Sequence, residues 1–456
     1  MSVQLIAKDN YRVVVGLGLT GLSCARYLSA KNLPFSVVDS RLNPPGLNEF
    51  KTEFPNVGLT LGEISDEALQ GANELIVSPG VALQEPAIAR AITKGMPVFG
   101  DVDLFVREAD APIIAITGSN GKSTVTALVG EMARKAGRNV AVGGNIGVPV
   151  LELLREQHVD LYVVELSSFQ LERAQGINAE VATVLNLSAD HMDRYPDMLA
   201  YHQAKHRIFT GCKQVVVNRG DTLSKPMIAE GVTSLTFGLN RPDFKGFGVI
   251  EEQGKTFLAF EFEPLMPLNE LKIVGRHNIE NALAALALGH SVSLPMDSML
   301  EALKDFRGLP HRCQFVAEID GVRFYDDSKG TNVGAAIASI TGLSDSAEKT
   351  VLIAGGQSKG ADFKTLAPVV RQYARAAVLI GEAANAIEQV INNGIVVEHA
   401  DTMQAAVNKS AGLAQRGDAV LLSPACSSFD MFESFEHRGD VFKHCVHTLA
   451  ERGAQI

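Results

Sequence analysis

The stretch IIAITGSNGKSTVTAL, residues 113–128, decides how this chain is read. An apolar run ends at Thr117, a tight polar turn follows, and a helical pattern begins near Lys122. In such a strand–turn–helix setting the amides at the helix start point at an anion, and a lysine and a hydroxyl there add charge and a hard-oxygen metal ligand. The turn is not a standard Walker A loop, which needs four residues between its glycines. Gly118 and Gly121 are separated by two, and Ile116 stands where the first glycine belongs. Gly118, Ser119, Asn120, Gly121, Lys122, Ser123 and Thr124 still read as a cradle for a nucleoside triphosphate, with Lys122 against the β- and γ-phosphates and Ser123 able to hold Mg²⁺.

About a hundred residues upstream lies a second loop of the same kind. VVVGLGLTGLSCARYL, residues 13–28, contains GLGLTG at 16–21, and Asp39 closes the next strand 18 residues beyond Gly21. The pattern fits the dinucleotide fingerprint and, taken alone, points to an NAD-dependent dehydrogenase. Its physics is only that glycines let backbone approach a diphosphate at a helix N-terminus, so any nucleotide diphosphate suits it.

With 456 residues the chain is too long for one core, and two to four domains are expected. A net charge of −11 argues against non-specific nucleic-acid binding, although local amides still hold phosphate in an acidic protein. No apolar run approaches the roughly 20 residues of a membrane span, and the start MSVQLIAKDNYR lacks the apolar stretch of a signal peptide. Five scattered cysteines with no CxxC pair fit a reducing compartment, so a cytoplasmic protein is expected.

Short apolar runs alternate with helical patterns: strands are expected at 13–17, 35–38, 75–77, 113–117, 161–166, 181–187, 215–218, 351–354, 377–380 and 419–422. Continuous apolar strands between helices mean parallel sheets covered on both faces, an α/β protein. Three units are expected: 1–100, Rossmann-like; 101–306, a P-loop-type ATPase unit opening at the 113–128 loop; and 307–456, again Rossmann-like, entered through the linker RGLPHRCQF and a hairpin turning at Asp320–Gly321.

Further motifs follow in order: GGNIG (143–147), ELSSFQLE (165–172), DHMDRYP (190–196), Lys205, GRHNIENALAA (275–285), LPHR (309–312), DDSKGTN (326–332), GGQSKGADF (355–363) and SPACSSFDMFESFEHRGD (423–440). This ordered set, covering nearly the whole chain, resembles the Mur ligase family. Within that family it is most similar to the member that joins D-glutamate to UDP-N-acetylmuramoyl-L-alanine. A sister Mur ligase, or a folylpolyglutamate synthase-type ligase, is the neighbouring reading. A P-loop switch without ligation chemistry is the more distant one.

The resemblance implies that the first loop holds a uridine diphosphate, with Leu19, Thr20, Asp39 and Arg41 around it, and that Asn145 contacts the muramoyl part. ATP and Mg²⁺ at two sites are implied, with Ser123, Glu165, His191 and a carbamylated Lys205 about the metal. Asn278 and Asn281 fall on the adenine side, with helix N-capping, which asparagine does well, as the lesser alternative. Arg312 reaches the γ-phosphate, Asp327 the ribose, and Lys329 a phosphate oxygen. Thr331, Lys359, Ser428 and Phe435 surround D-glutamate. The implied catalytic set is Lys122, His191, Lys205, Arg312 and Lys329. Its partners are small molecules with no nucleic acid, the chain acts as a monomer, and the C-terminal unit closes on its ligands. The chain departs from the family pattern at Asp326, Gly330 and Gln314, where Asn, Ala and Glu are expected.

Overall fold

The structure, a computed structural model, describes residues 11–227, 231–273, 275–344, 347–358, 360–392 and 394–453. Among them the strands assemble into three sheets. The first contains β1 (Arg12–Val15), β2 (Phe35–Asp39), β3 (Gly58–Leu61), β4 (Glu74–Val77) and β5 (Val98–Phe99), all parallel, in the order β3-β2-β1-β4-β5. The chain reverses its direction of travel between β1 and β4. The glycine loop after β1 therefore opens at a topological switch point, where α/β sheets receive ligands.

The second sheet is built around β6 (Ile113–Thr117), whose five residues are all buried. Burying each branched side chain contributes about 1.5–3 kcal/mol, so this central position suits an unbroken apolar run. On one side of β6 lie β8 (Leu161–Glu165) and β7 (Val140–Gly144). On the other lie β9 (Val181–Val184), β10 (Gln214–Asn218) and β11 (Thr233–Phe237), then β12 (Gly246–Glu252), β13 (Lys255–Phe260) and β14 (Glu263–Pro267). The last two strands pair antiparallel, so this sheet is mixed rather than purely parallel. The 113–128 loop again leaves the sheet at its switch point, between β8 and β9.

The third sheet runs β15-β16-β20-β17-β18-β19. It comprises the hairpin β15 (Gln314–Ile319) and β16 (Val322–Asp326), then β17 (Thr350–Gly355), β18 (Ala374–Ile380), β19 (Val396–His399) and β20 (Ala419–Leu422). The hairpin turns where expected, with Asp320 at φ 53° and Gly321 at φ 80°, the paired left-handed conformations that a two-residue turn requires.

The expected strands are all present, some one to three residues shorter at their ends. Missed were β3, β5, β7, β19 and the 233–267 strands. Gly58–Leu61 has no buried position, whereas Val140–Gly144 and Gly246–Glu252 are largely buried but interrupted by glycines that dilute the apolar run. The first two sheets share one continuous apolar cluster running from Val14 through Phe105 to Val217, with Phe105 edge-on to Tyr162 at 5.1 Å. The third sheet keeps its own clusters on its two faces. It meets the second sheet's nucleotide loop through polar side chains, described next.

Candidate active site

The helix Lys122–Lys135 starts at Gly121, which has φ 80°. A Cβ there would collide with Asn281 Oδ1, so loop and helix Arg276–Ser291 pack closer than any other residue allows. Gly121→Ala is therefore expected to cost about 1–2 kcal/mol in conformational strain alone and to weaken ATP binding, read by thermal denaturation and nucleotide titration. The loop is braced against the segment after β9. Asn120 N–H donates to Asn186 Oδ1 (2.9 Å) and Ser119 Oγ to Ser188 O (2.9 Å). Lys122 Nζ donates to the carbonyls of Gly118 (2.8 Å) and Ser119 (2.9 Å).

Around this loop lies a cleft of about 420 Å³ lined from two stretches of the chain, 119–205 and 312–436. Ser119, Asn120, Gly121, Lys122, Ser123, Asn145, Glu165, His191, Lys205, Arg312, Lys329, Thr331, Ser428 and Phe435 line it. An adjoining cavity of about 290 Å³ shares Asn120, Gly121, Arg312 and Lys329, and adds Thr124, Asn278, Asn281 and Asp327. Most of the sequence-derived residues thus converge. Lys359 lies outside the described residues. Leu19, Thr20, Asp39 and Arg41 sit apart from this cleft, at the loop of the first sheet.

Glu165 ends β8 and is 1% exposed. Its Oε1 accepts from Asn145 Nδ2 at 2.7 Å, while Oε2 has no hydrogen-bond partner among the described residues. A buried carboxylate oxygen without a partner is costly unless a cation meets it. Arg312, from the linker before β15, donates to Ser123 Oγ at 2.6 Å. Among the described residues no three His, Cys, Asp or Glu side chains cluster as a closed metal cage. One carboxylate and one hydroxyl beside a phosphate loop suit Mg²⁺, which takes few protein ligands and completes its shell with water and phosphate.

His191 has φ 56°, a conformation held by a turn in which Arg194 N–H and Tyr195 N–H both donate to its carbonyl. Its ring lies edge-on to Phe169 at 4.7 Å. Lys205, 2% exposed, donates to Thr117 Oγ1 at 3.2 Å, and burial, with Lys122 nearby, pushes its pKa well below the ordinary lysine value. Burial also lowers Lys122, against the pull of Glu165 and Asp190. Lys329 stands over the Phe435 ring at 3.6 Å; burial and then Arg312 bring its pKa down to about 8. Its cationic form therefore prevails below about pH 8 and is lost above it. Turnover of the free enzyme is expected to fall as pH rises through that value, and a pH–rate profile of kcat/KM in which Lys329→Arg removes the alkaline limb checks this.

Asn278 and Asn281 are joined, Asn281 Nδ2 donating to Asn278 Oδ1 at 3.2 Å. The cap of their helix is Gly275, which makes no side-chain cap bond, so neither asparagine serves as the cap. Asp327 accepts from Ser339 Oγ (2.6 Å) and Ser423 Oγ (2.7 Å), and burial raises it to about 6. The three departures from the family pattern lie together. Asp326 pairs with His311 Nδ1 at 2.7 Å, and Gln314 Oε1 accepts from the His311 amide at 3.2 Å, so both meet the same histidine. At Gly330 a Cβ would press on Asp327 Oδ2 at 2.6 Å and Ser423 Oγ at 2.7 Å.

At the first loop Asp39 Oδ2 accepts from Leu17 N–H (2.7 Å) and from Arg41 Nη2 (2.7 Å), while Oδ1 accepts from Arg41 N–H and Nε. Burial works against the carboxylate, but Arg41 and the Leu17 amide hold its pKa below the usual range. Both oxygens are committed to the loop and to Arg41, whereas a dinucleotide site keeps them for a ribose.

Sequence reasoning missed three residues that hold the site together. Asn332 caps the helix Val333–Leu343 and reaches across to Asn120 Oδ1 (3.2 Å) and Asp190 Oδ2 (3.1 Å). Its place before an apolar helical run is a cap signal. Arg438, 0% exposed, ties Ser328 to the carbonyls of Cys426 and Ser427. Tyr201 meets Ser119 Oγ at 3.1 Å.

Three family models match: "Mur ligase MurD-like, N-terminal domain" over residues 10–100, "Mur ligase middle domain" over 116–289, and "Mur ligase, glutamate ligase domain" over 311–426. The chain is 57% identical over 98% of its length to the UDP-N-acetylmuramoylalanine–D-glutamate ligase of Pseudomonas savastanoi pv. phaseolicola, covering 100% of that protein. The Pseudomonas aeruginosa protein of the same name is equally similar, at 57% identity with the same coverage of both chains. Among solved structures the fold is similar to UDP-N-acetylmuramate-alanine ligase MurC from Thermotoga maritima (TM-score 0.60, 18% identity, 96% of this chain and 100% of that one). It is likewise similar to MurF from Acinetobacter baumannii (TM-score 0.60, 15% identity, 98% and 97%).

Proposed function

The chain belongs to the Mur ligase family, and on that premise we propose that its cleft joins the L-alanyl carboxylate of UDP-N-acetylmuramoyl-L-alanine to the amine of D-glutamate, with ATP converted to ADP and phosphate. It is an ATP-dependent ligase of peptidoglycan precursor synthesis. The observation that carries this reading is the convergence of Lys122, Ser123, Glu165, His191, Arg312 and Lys329 on one cleft.

A carboxylate is a poor electrophile, and its approach to a triphosphate brings like charges together. The step needs concentrated positive charge and in-line alignment. Lys122 and Arg312 place that charge at the γ-phosphoryl, and Lys329 places a third cation at a phosphate oxygen. Ser123 and Glu165 would hold Mg²⁺ and His191 would ligate a second ion, and these ions would supply charge neutralisation between phosphates and substrate acid. The γ-phosphoryl passes to the alanyl carboxylate, giving an acyl phosphate. The amine of D-glutamate then adds to its carbonyl carbon and loses a proton, and phosphate leaves from the tetrahedral intermediate.

The lowered pKa of Lys205 supports a further assignment. A neutral buried amine has a lone pair free to add to CO₂; the carbamate forms with loss of one proton and turns a cation into an anion suited to the second metal ion. Asn278 and Asn281 face adenine, Asp327 the ribose, and Ser119, Asn120, Gly118, Gly121 and Thr124 the phosphates. Leu19, Thr20, Asp39 and Arg41 take the uridine diphosphate, with Asn145 toward the muramoyl group. Thr331, Lys359, Ser428 and Phe435 take D-glutamate. The units 1–100, 101–306 and 307–456 act as a cytoplasmic monomer whose last unit closes on its ligands. No helix among the described residues is long and apolar enough to cross a membrane.

Phosphate release with ATP, Mg²⁺ and UDP-N-acetylmuramoyl-L-alanine across a panel of amino acids tests the reading. Turnover with D-glutamate is expected. Turnover only with another amino acid reassigns the chain to a sister ligase.

A further inference from the structure

The proposed substrate is anchored at one sheet and reacts at another. Something must hold those two places in register. Arg194 lies in the turn that shapes His191, its amide bonded to the His191 carbonyl at 2.9 Å. Its guanidinium keeps a 3.5 Å contact with Glu172 Oε2 and reaches across to the first unit: Nη1 donates to Pro79 O at 3.1 Å and Nη2 to Val81 O at 3.2 Å. The same plane covers the Phe169 ring at 4.3 Å, and Phe169 in turn meets the His191 ring. A second arginine, Arg173, with its side chain 0% exposed, also donates to Val81 O.

The segment 78–81 that receives these bonds is the wall of the first glycine loop. Ser78 Oγ donates to Gly16 O at 2.9 Å. At Gly16, φ 97°, a Cβ would stand 2.9 Å from both Ser78 Cβ and Val81 Cγ2. An unbroken series of contacts therefore runs from the diphosphate loop through Val81 and Arg194 to Phe169 and His191. We propose that Arg194 is a positioning residue that fixes the span between the uridine diphosphate loop and the reaction centre, so that a substrate held by its handle presents its carboxylate in line with the γ-phosphoryl.

The inference rests on the ligase reading above, and phosphate release by the parent protein checks that reading separately. Arg194 is partly exposed, at 18%, so Arg194→Met keeps the stem over Phe169 while removing both donors. UDP-N-acetylmuramoyl-L-alanine and a non-hydrolysable ATP analogue are titrated separately, and kcat is measured with both substrates saturating. The expected result is a kcat lowered about 10- to 100-fold, because small misplacements of reacting groups cost that much, with both dissociation constants within about threefold of the parent's. Arg194→Lys, which offers one point donor and no planar fork, is expected to fall between. An unchanged kcat in both variants overturns the proposal. So does a fall in kcat matched by an equal loss of binding for either ligand, which marks a merely structural residue.

Discussion

Lys122→Ala is expected to lower turnover by on the order of 10³-fold or more, through lost charge stabilisation of the phosphoryl-transfer transition state. The expectation draws on two roles visible at once. Lys122 Nζ stiffens the loop by donating to Gly118 O and Ser119 O, and it stands on the cleft beside Glu165 and Asp190, which favour its charged form against burial. Arg312 and Lys329 line the same cleft but are held by other bonds, so neither replaces it. Phosphate release under saturating substrates checks the prediction, with circular dichroism confirming an intact fold. A variant within about tenfold of the parent would count against Lys122 as the γ-phosphoryl cation, since even a single lost donor to developing charge costs about 10²–10³.

Lys205→Ala carries the second large effect, expected on the order of 10²–10³-fold, the scale of losing one preorganised electrostatic group. Lys205 points into a buried corner against Thr117 Oγ1, with the Tyr201 ring 5.0 Å away. A cation there is opposed by burial and by Lys122. If the functional form is the carbamate, the parent's rate also depends on dissolved CO₂: stripping it lowers turnover and bicarbonate restores it, whereas Lys205→Ala responds to neither. A rate indifferent to CO₂, with Lys205→Ala as active as the parent, would remove the carbamate and the second metal ion from the account.

Much of this site was legible in the chain because its parts are local. A strand of five branched or small residues, two glycines and a lysine–serine pair declare the 113–128 loop, and the structure buries the strand completely. Glu165 was legible for the same reason: it ends an apolar strand, and sheets present ligand groups there. What escaped depends on long-range pairing. Strand Thr233–Phe237 offers only two apolar residues, Leu235 and Phe237, and Gly246–Glu252 carries two glycines and ends in two glutamates, so neither presents an unbroken apolar run. Arg438 and Arg194 stand in polar stretches, where no local pattern marks them. Only the fold shows that one is fully buried and the other reaches backbone 113 residues away. Asn278 illustrates the opposite case, where a capping asparagine was the obvious alternative and Gly275 holds the cap instead.

The bond from Arg312 to Ser123 has a consequence for inhibition. The loop and the guanidinium that meets it come from segments 189 residues apart, and the hydroxyl that accepts from the arginine is the one proposed to take the dication. On that proposal the hydroxyl must loosen its hold on the arginine when the dication arrives, so the two segments sense nucleotide jointly. A small molecule wedged between linker and loop would break that coupling without resembling any of the reactants.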